Sequence, residues 1–207
     1  MTDQRTLIIF ARLPRPGEVK TRLGNTIGMT KAAAIYEELA RHVFDVGNVA
    51  ATTGISVLLF FDPIGSESAM RQWVGNPFEF HRQEGGNLGL RMANAFRNAF
   101  ARGADRVVIV GTDVPDLTVE HLSRAFAELS RHDMAIGPST DGGYYLLGMC
   151  SPLKEVFDGI PWGTDQVYEA TVRRAEELAL TSAILDMLTD IDTEEDYKAY
   201  LDRSMKS

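Results

Sequence analysis

Asp113 closes the run Val108-Ile109-Val110-Gly111-Thr112-Asp113-Val114-Pro115. An apolar, β-branched run of this kind reads as a strand buried on both faces. A carboxylate just past its carboxyl end lies where open α/β sheets bind ligands. Pro115 cannot continue a central strand, so the chain leaves the sheet there. Asp113 is therefore a candidate metal or substrate ligand. The alternative is a turn-forming Asp before Val114-Pro115.

A second group of chemical interest follows the first apolar run. Arg12-Leu13-Pro14-Arg15-Pro16-Gly17-Glu18-Val19-Lys20-Thr21-Arg22-Leu23 gathers Arg12, Arg15, Lys20 and Arg22 in one short segment of an acidic chain. Its prolines stiffen the loop and Gly17 allows a tight turn. Lys20 and Arg22 could hold di- or triphosphate oxygens, Arg as a planar fork and Lys as a point charge. The alternative is a solvated basic loop. The segment is not a G-x-x-x-x-G-K-[ST] loop, and no G-x-G-x-x-G follows the first strand, which argues against a standard dinucleotide fold.

Asp190-Ile191-Asp192-Thr193-Glu194-Glu195-Asp196 is a further acidic cluster. In an extended segment Asp190 and Asp192 share a face. One of them could join Asp113 on a divalent cation, since Mg²⁺ takes only one or two carboxylates and completes its shell with phosphates and water. The alternative is a helix N-terminus capped by Asp192 or Thr193; both can hold with different residues. Gly85-Gly86-Asn87-Leu88-Gly89 precedes a helical pattern, and its amides could bind an anion or a base edge. Without a ligand the same residues make an ordinary glycine-rich helix start. Asp141-Gly142-Gly143 lies between two apolar runs and signals a hairpin turn. Functionally, its glycines would let a sugar or acceptor approach, with Asp141 bonding hydroxyls. His42, His81, His121 and His132 fall on separate elements without H-E-x-x-H, and there is no G-x-S-x-G. A nucleophilic hydrolase therefore has no support.

The elements that must position these residues alternate between strand and helix patterns. Thr6 to Ala11, Ile55 to Phe61, Phe78 to Arg82, Arg106 to Val110, His132 to Gly137 and Tyr144 to Met149 read as strands, the second stopped by Asp62-Pro63. Thr30 to Val49, Ser66 to Val74, the stretch from Gly89 through Phe100, a helix capped by Thr118, Thr164 to Leu180 and a last segment from Glu194 read as helices. This order predicts a three-layer α/β/α domain over residues 1–207 with a mostly parallel central sheet and an antiparallel element near Tyr144.

The bulk properties agree. The chain has 207 residues, 44% hydrophobic and 24% charged, as in an ordinary globular protein. A net charge of −8 argues against a nucleic-acid or anionic-membrane surface, while leaving room for a small cationic pocket. Cys150 is the only cysteine, so no intrachain disulfide or cysteine-based zinc site exists. The start, Met1-Thr2-Asp3-Gln4-Arg5, leads into too short an apolar run for a signal sequence, and no stretch could span a membrane, which points to the cytoplasm.

Taken together, Phe10 to Leu23, Gln83 to Met92, Gly111 to Leu117, Asp141-Gly142-Gly143-Tyr144 and Trp162-Gly163-Thr164 resemble one family in order and spacing over nearly the whole chain. It is the glycosyltransferase-like, radical-SAM/selenodomain-associated transferase family of the GT-A nucleotide-diphospho-sugar transferase superfamily. That superfamily also holds molybdenum-cofactor nucleotidyltransferases and phospholactate guanylyltransferases. The resemblance implies a GT-A fold, a nucleotide-sugar or nucleoside triphosphate donor, a small-molecule acceptor and Mg²⁺ or Mn²⁺. It assigns Asp113 and Asp192 to the metal, and Lys20 and Arg22 to the phosphates. Arg12 and the loop of Gly85, Gly86, Asn87 and Gly89 join them as nucleotide contacts; Asn87 stands where the family has aspartate. Asp113, Lys20 and Asp141 are the candidate catalytic groups. Asp141, Gly142, Gly143, Tyr144 and Trp162 form the expected acceptor side. A homodimer is a candidate assembly, and a non-catalytic nucleotide-binding module is the alternative of another class.

Overall fold

The computed structural model describes residues 3–62, 67–75 and 78–205. Strands β1 (Arg5–Arg12), β2 (Ser56–Asp62), β3 (Glu79–Arg82), β4 (Arg106–Val110), β5 (Met134–Pro138), β6 (Tyr144–Met149) and β7 (Ser182–Ile184) form one sheet in the order β3-β2-β1-β4-β6-β5-β7. All neighbours run parallel except at β6, which is antiparallel to both β4 and β5. The antiparallel element expected near Tyr144 is therefore β6, placed by the short Asp141-Gly142-Gly143 turn, since a tight turn can only reverse the chain.

The helices are α1 (Thr21–Ile27), α2 (Met29–Thr52), α3 (Glu67–Val74), α4 (Leu88–Ala101), α5 (Val119–Glu128), α6 (Val167–Glu177) and α7 (Glu194–Ser204). Strand alternation sorts them to two faces. Leu7, Ile9, Leu59, Val108 and Val110 pack with α2 and α5, whereas Ile8, Leu58, Val107 and Ile109 pack with α4 and α6. The result is the expected three-layer α/β/α arrangement. Ile8, Ile9 and Leu59 have no measurable exposure, and each such side chain stabilises the fold by about 1.5–3 kcal/mol.

Details differ from the sequence pattern in places. The basic segment does not remain a loop to Leu23, because a helical turn begins at Thr21. Pairing with β7 brings β5 to start at Met134 rather than His132. The helix expected from Thr164 begins at Val167. Pro63, where the sequence ends the second strand, Ser66, where it starts a helix, and Met1-Thr2 lie outside the described residues. Among the described residues no helix is long and apolar enough to cross a membrane.

Candidate functional site

The carboxyl ends of β1 and β4 open onto a cleft of about 610 Å³. Arg12, Lys20, Arg22, Asp113, Tyr144 and Asp192 all line it. Residues distant in sequence meet here because parallel strands deliver their following loops to one sheet edge.

Lys20 is the most constrained of these. It caps α1 in the left-handed conformation at φ 47° and ψ 45°, a region that costs a residue with a side chain about 1–2 kcal/mol. Buried Val19 before it and the Gly24 amide, which donates to Lys20 O at 2.8 Å, fix the backbone. The ammonium Nζ reaches Asp113 Oδ1 at 2.7 Å. The lysine side chain is only 5% exposed while that of Asp113 is 45% exposed, so the carboxylate faces the cleft and the cation lies beneath it.

Tyr36 of α2 holds the two strand ends together. Its hydroxyl accepts the Arg12 amide at 2.8 Å and bonds Thr112 Oγ1 at 3.0 Å. Burial, and then the charge of Asp113, push this phenol up to about 12, so it stays neutral. Tyr36 lies within the helix read from Thr30 to Val49, and nothing in its spacing signals the polar role. A similar unforeseen group is Arg91, which binds Asp62 Oδ2 at 2.8 Å and Gly85 O at 3.3 Å from the opposite wall.

The C-terminal acidic segment docks beside Asp113 through its backbone. Ile191 N donates to Asp113 O at 3.1 Å. Asp192 pairs with Arg22 Nη1 at 3.1 Å, and Thr193 with Asp196 forms the capping box of α7. Of the two capping candidates Thr193 is the one that caps, and the Asp192 carboxylate is paired with Arg22. Burial, and then the charge of Asp141, raise Asp190 to about 6, with Asp113 adding and Lys20 opposing. Asp190 is therefore closer to the other carboxylates electrostatically than the sequence alone shows.

The Gly85–Gly89 loop residues expected to contact nucleotide, and Asp141, Gly142, Gly143 and Trp162 of the expected acceptor side, lie outside the cleft lining. Asn87 caps α4 by accepting the Leu90 amide at 2.9 Å. Leu88, Arg91 and Met92, rather than Gly85, Gly86, Asn87 or Gly89, make the cleft wall on that side. A Cβ on Gly89 would stand 2.5 Å from the Trp162 ring, so that glycine seats the indole. Asp141 Oδ1 accepts from Ser139 Oγ at 2.5 Å and from Gly143 N at 2.8 Å, shaping its own turn. Gly142, at φ 87°, lies against Asp165 and accepts the Tyr168 amide at 2.9 Å. Burial raises the Tyr144 phenol, whose oxygen meets Met92 Sδ at 3.9 Å, so its ring rather than its hydroxyl serves the cleft.

Among the described residues no group of three or more His, Cys, Asp or Glu side chains is disposed to hold a metal. The donor set nevertheless suits Mg²⁺ or Mn²⁺ with few protein ligands. The half-exposed Asp113 and the Asp190–Asp192 segment offer hard carboxylate oxygens, leaving the rest of the shell to phosphates and water.

A model of the family described as "Uncharacterized protein conserved in bacteria (DUF2064)" matches residues 45–164, more than half of the chain. The crystal structure described as a "putative nucleotide-diphospho-sugar transferase" from Desulfovibrio desulfuricans G20 is 36% identical, with a TM-score of 0.85 over 93% of this chain and 84% of that one. CMP:2-keto-3-deoxy-manno-octonic acid synthetase complexed with CTP shares the fold at 12% identity and TM-score 0.59, covering 97% and 99% of the two chains. The Rv0371c complex with manganese from Mycobacterium tuberculosis H37Rv does so at 17% identity and TM-score 0.57, covering 96% and 98%. No curated protein sequence gives a significant match.

Proposed function

For this chain, which belongs to the DUF2064 family, we propose metal-dependent transfer from a nucleotide-activated donor, with glycosyl transfer from a nucleotide-diphospho-sugar to a small acceptor as the first reading. The observation that carries it is the Lys20–Asp113 pair at the strand ends, buried on the cationic side and open on the anionic side. A structural salt bridge gains nothing from a strained lysine backbone facing a cleft. A metal-assisted phosphate site can use such a backbone, because it sets a cation and a metal-competent carboxylate side by side at the strand ends.

Lys20 and Arg22 would bind the diphosphate oxygens, with Arg12 at the loop entrance. Tyr36 would hold the Arg12 backbone and Thr112 in register beneath them. Asp113 with Asp192 would hold Mg²⁺ or Mn²⁺, which when bound would neutralise the charge growing on the leaving diphosphate. The acceptor oxygen would form its bond to the anomeric carbon as the carbon–oxygen bond to the diphosphate breaks. Asp141, backed by Ser139 and the Gly143 amide, would receive the acceptor proton, with Trp162 and Tyr144 flanking that side. Manganese in the Rv0371c complex accords with the metal choice.

The second reading is nucleotidyl transfer from a nucleoside triphosphate, favoured by the CTP complex of the synthetase that shares the fold. There the acceptor attacks the α-phosphorus and pyrophosphate leaves, using the same cations. Incubation with labelled nucleotide-sugars and, separately, labelled triphosphates distinguishes the two by whether a nucleoside diphosphate or pyrophosphate is released. Absence of nucleotide binding in the presence of either metal contradicts both.

A further inference from the structure

Lys20 is placed among carboxylates in a way that phosphate binding alone does not require. Its Nζ is 2.7 Å from Asp113 Oδ1, its side chain is almost fully buried, and its backbone is held left-handed by its neighbours. Asp113, Asp141 and Lys20 are all within electrostatic reach of Asp190. Arg22, another cation of the segment that faces the cleft, is engaged with Asp192 instead. The acidic end of the cleft thus contains its own positive charge, sitting on an oxygen that a divalent cation would use.

Resting on the proposed function, we infer that the Lys20 ammonium acts as a built-in counterion that competes with the divalent cation for Asp113 until donor phosphate draws the lysine away. Two cations cannot share one carboxylate oxygen at contact distance without mutual repulsion. Metal alone must therefore either displace Lys20 or sit beside its charge on the other Asp113 oxygen, and in both cases binds weakly. A phosphate chain offers Lys20 stronger acceptors and frees the Asp113 oxygen, so donor and metal raise each other's affinity by the same factor. The device would keep the site from filling with metal in the absence of donor.

The test uses Mn²⁺ alone, titrated into full-length protein and read as free Mn²⁺ by electron paramagnetic resonance. Lys20→Met is expected to bind Mn²⁺ about tenfold more tightly than wild type, within the usual range of coupling between sites. Lys20→Arg, which keeps the charge, is expected to stay near wild type. Equal or weaker Mn²⁺ binding by Lys20→Met overturns the inference, as does failure of every variant to bind Mn²⁺. Wild-type protein supplies a readout that needs no variant: the ¹⁵Nζ resonance of Lys20 should shift when Mg²⁺ alone saturates the site, and an unmoved resonance contradicts the competition. Nucleotide binding measured separately keeps the two claims apart. A wild type that binds nucleotide, beside a Lys20→Met that binds Mn²⁺ no more tightly than wild type, overturns only the counterion role, whereas a wild type that binds no nucleotide, beside a Lys20→Met that binds Mn²⁺ more tightly, overturns only the donor assignment.

Discussion

Replacing Tyr36 by Phe removes one oxygen atom from the joint between the ends of β1 and β4. Two bonds go with it, the Arg12 amide at 2.8 Å and Thr112 Oγ1 at 3.0 Å. Thr112 keeps a longer contact to Phe10 O at 3.4 Å, so the principal orphan is the Arg12 N–H. A buried donor left without a partner costs about 1–3 kcal/mol. Taking about 2 kcal/mol, and about 2–4 °C per kcal/mol for a chain of this size, Tm should fall by about 4–8 °C. Burial and Asp113 push the Tyr36 phenol up to about 12, so the loss should be the same at pH 6 and pH 9. Urea and thermal denaturation of both proteins measure it, and nucleotide titration should show weaker binding because the Arg12 loop loses its tether. A stability change below about 0.5 kcal/mol, the range of an inconsequential surface substitution, would refute the reasoning.

Gly142→Ala places a Cβ 2.0 Å from the Asp165 carbonyl oxygen at a φ of 87°, so it should lower stability by more than about 2 kcal/mol in urea denaturation. Gly89→Ala pushes on the Trp162 ring from 2.5 Å; it should cost about 1–3 kcal/mol and change tryptophan emission, and unchanged emission would contradict the packing. Asp190 is raised to about 6 from 3.8, so its ionisation opposes folding; the stability it leaves intact at low pH is lost as pH rises through about 6. In metal-free buffer Asp190→Asn should therefore be more stable than wild type at pH 8 by roughly 1–2 kcal/mol once solvent screening is allowed for, with the difference vanishing near pH 4.

Period and composition were enough to order β1 to β6 in sequence, because buried strands are continuous apolar runs and their loops are short; β7, only Ser182–Ile184, is too short to give a period and was not foreseen. Asp113, Lys20 and Arg22 were legible for the same reason: each lies just past a strand or in its loop, and parallel strands send those positions to one edge. The Asp141-Gly142-Gly143 turn made β6 legible as antiparallel. What the sequence hid depends on side-chain direction across the fold. Tyr36 is one more apolar position in α2 until its hydroxyl reaches Arg12 and Thr112. Arg91 and Asp62 are ordinary charges until α4 brings them together. Asp190 and Asp192 share an extended segment, yet one is drawn into the carboxylate cluster while the other is tied to Arg22. Whether the Gly85–Gly89 loop lines the cleft also depends on packing, and Trp162 occupies the space beside Gly89.

The central claim is that Asp113 and Lys20 mark a metal-assisted phosphate site. It is tested most directly by thermal shift of wild type and Asp113→Ala against a panel of nucleoside diphosphates, triphosphates and nucleotide-sugars, each with and without Mn²⁺. The account predicts that at least one nucleotide stabilises wild type more with Mn²⁺ than without, and that this extra stabilisation disappears in Asp113→Ala. Equal Mn²⁺-dependent stabilisation of the two proteins, or no stabilisation of wild type by any nucleotide, would contradict it.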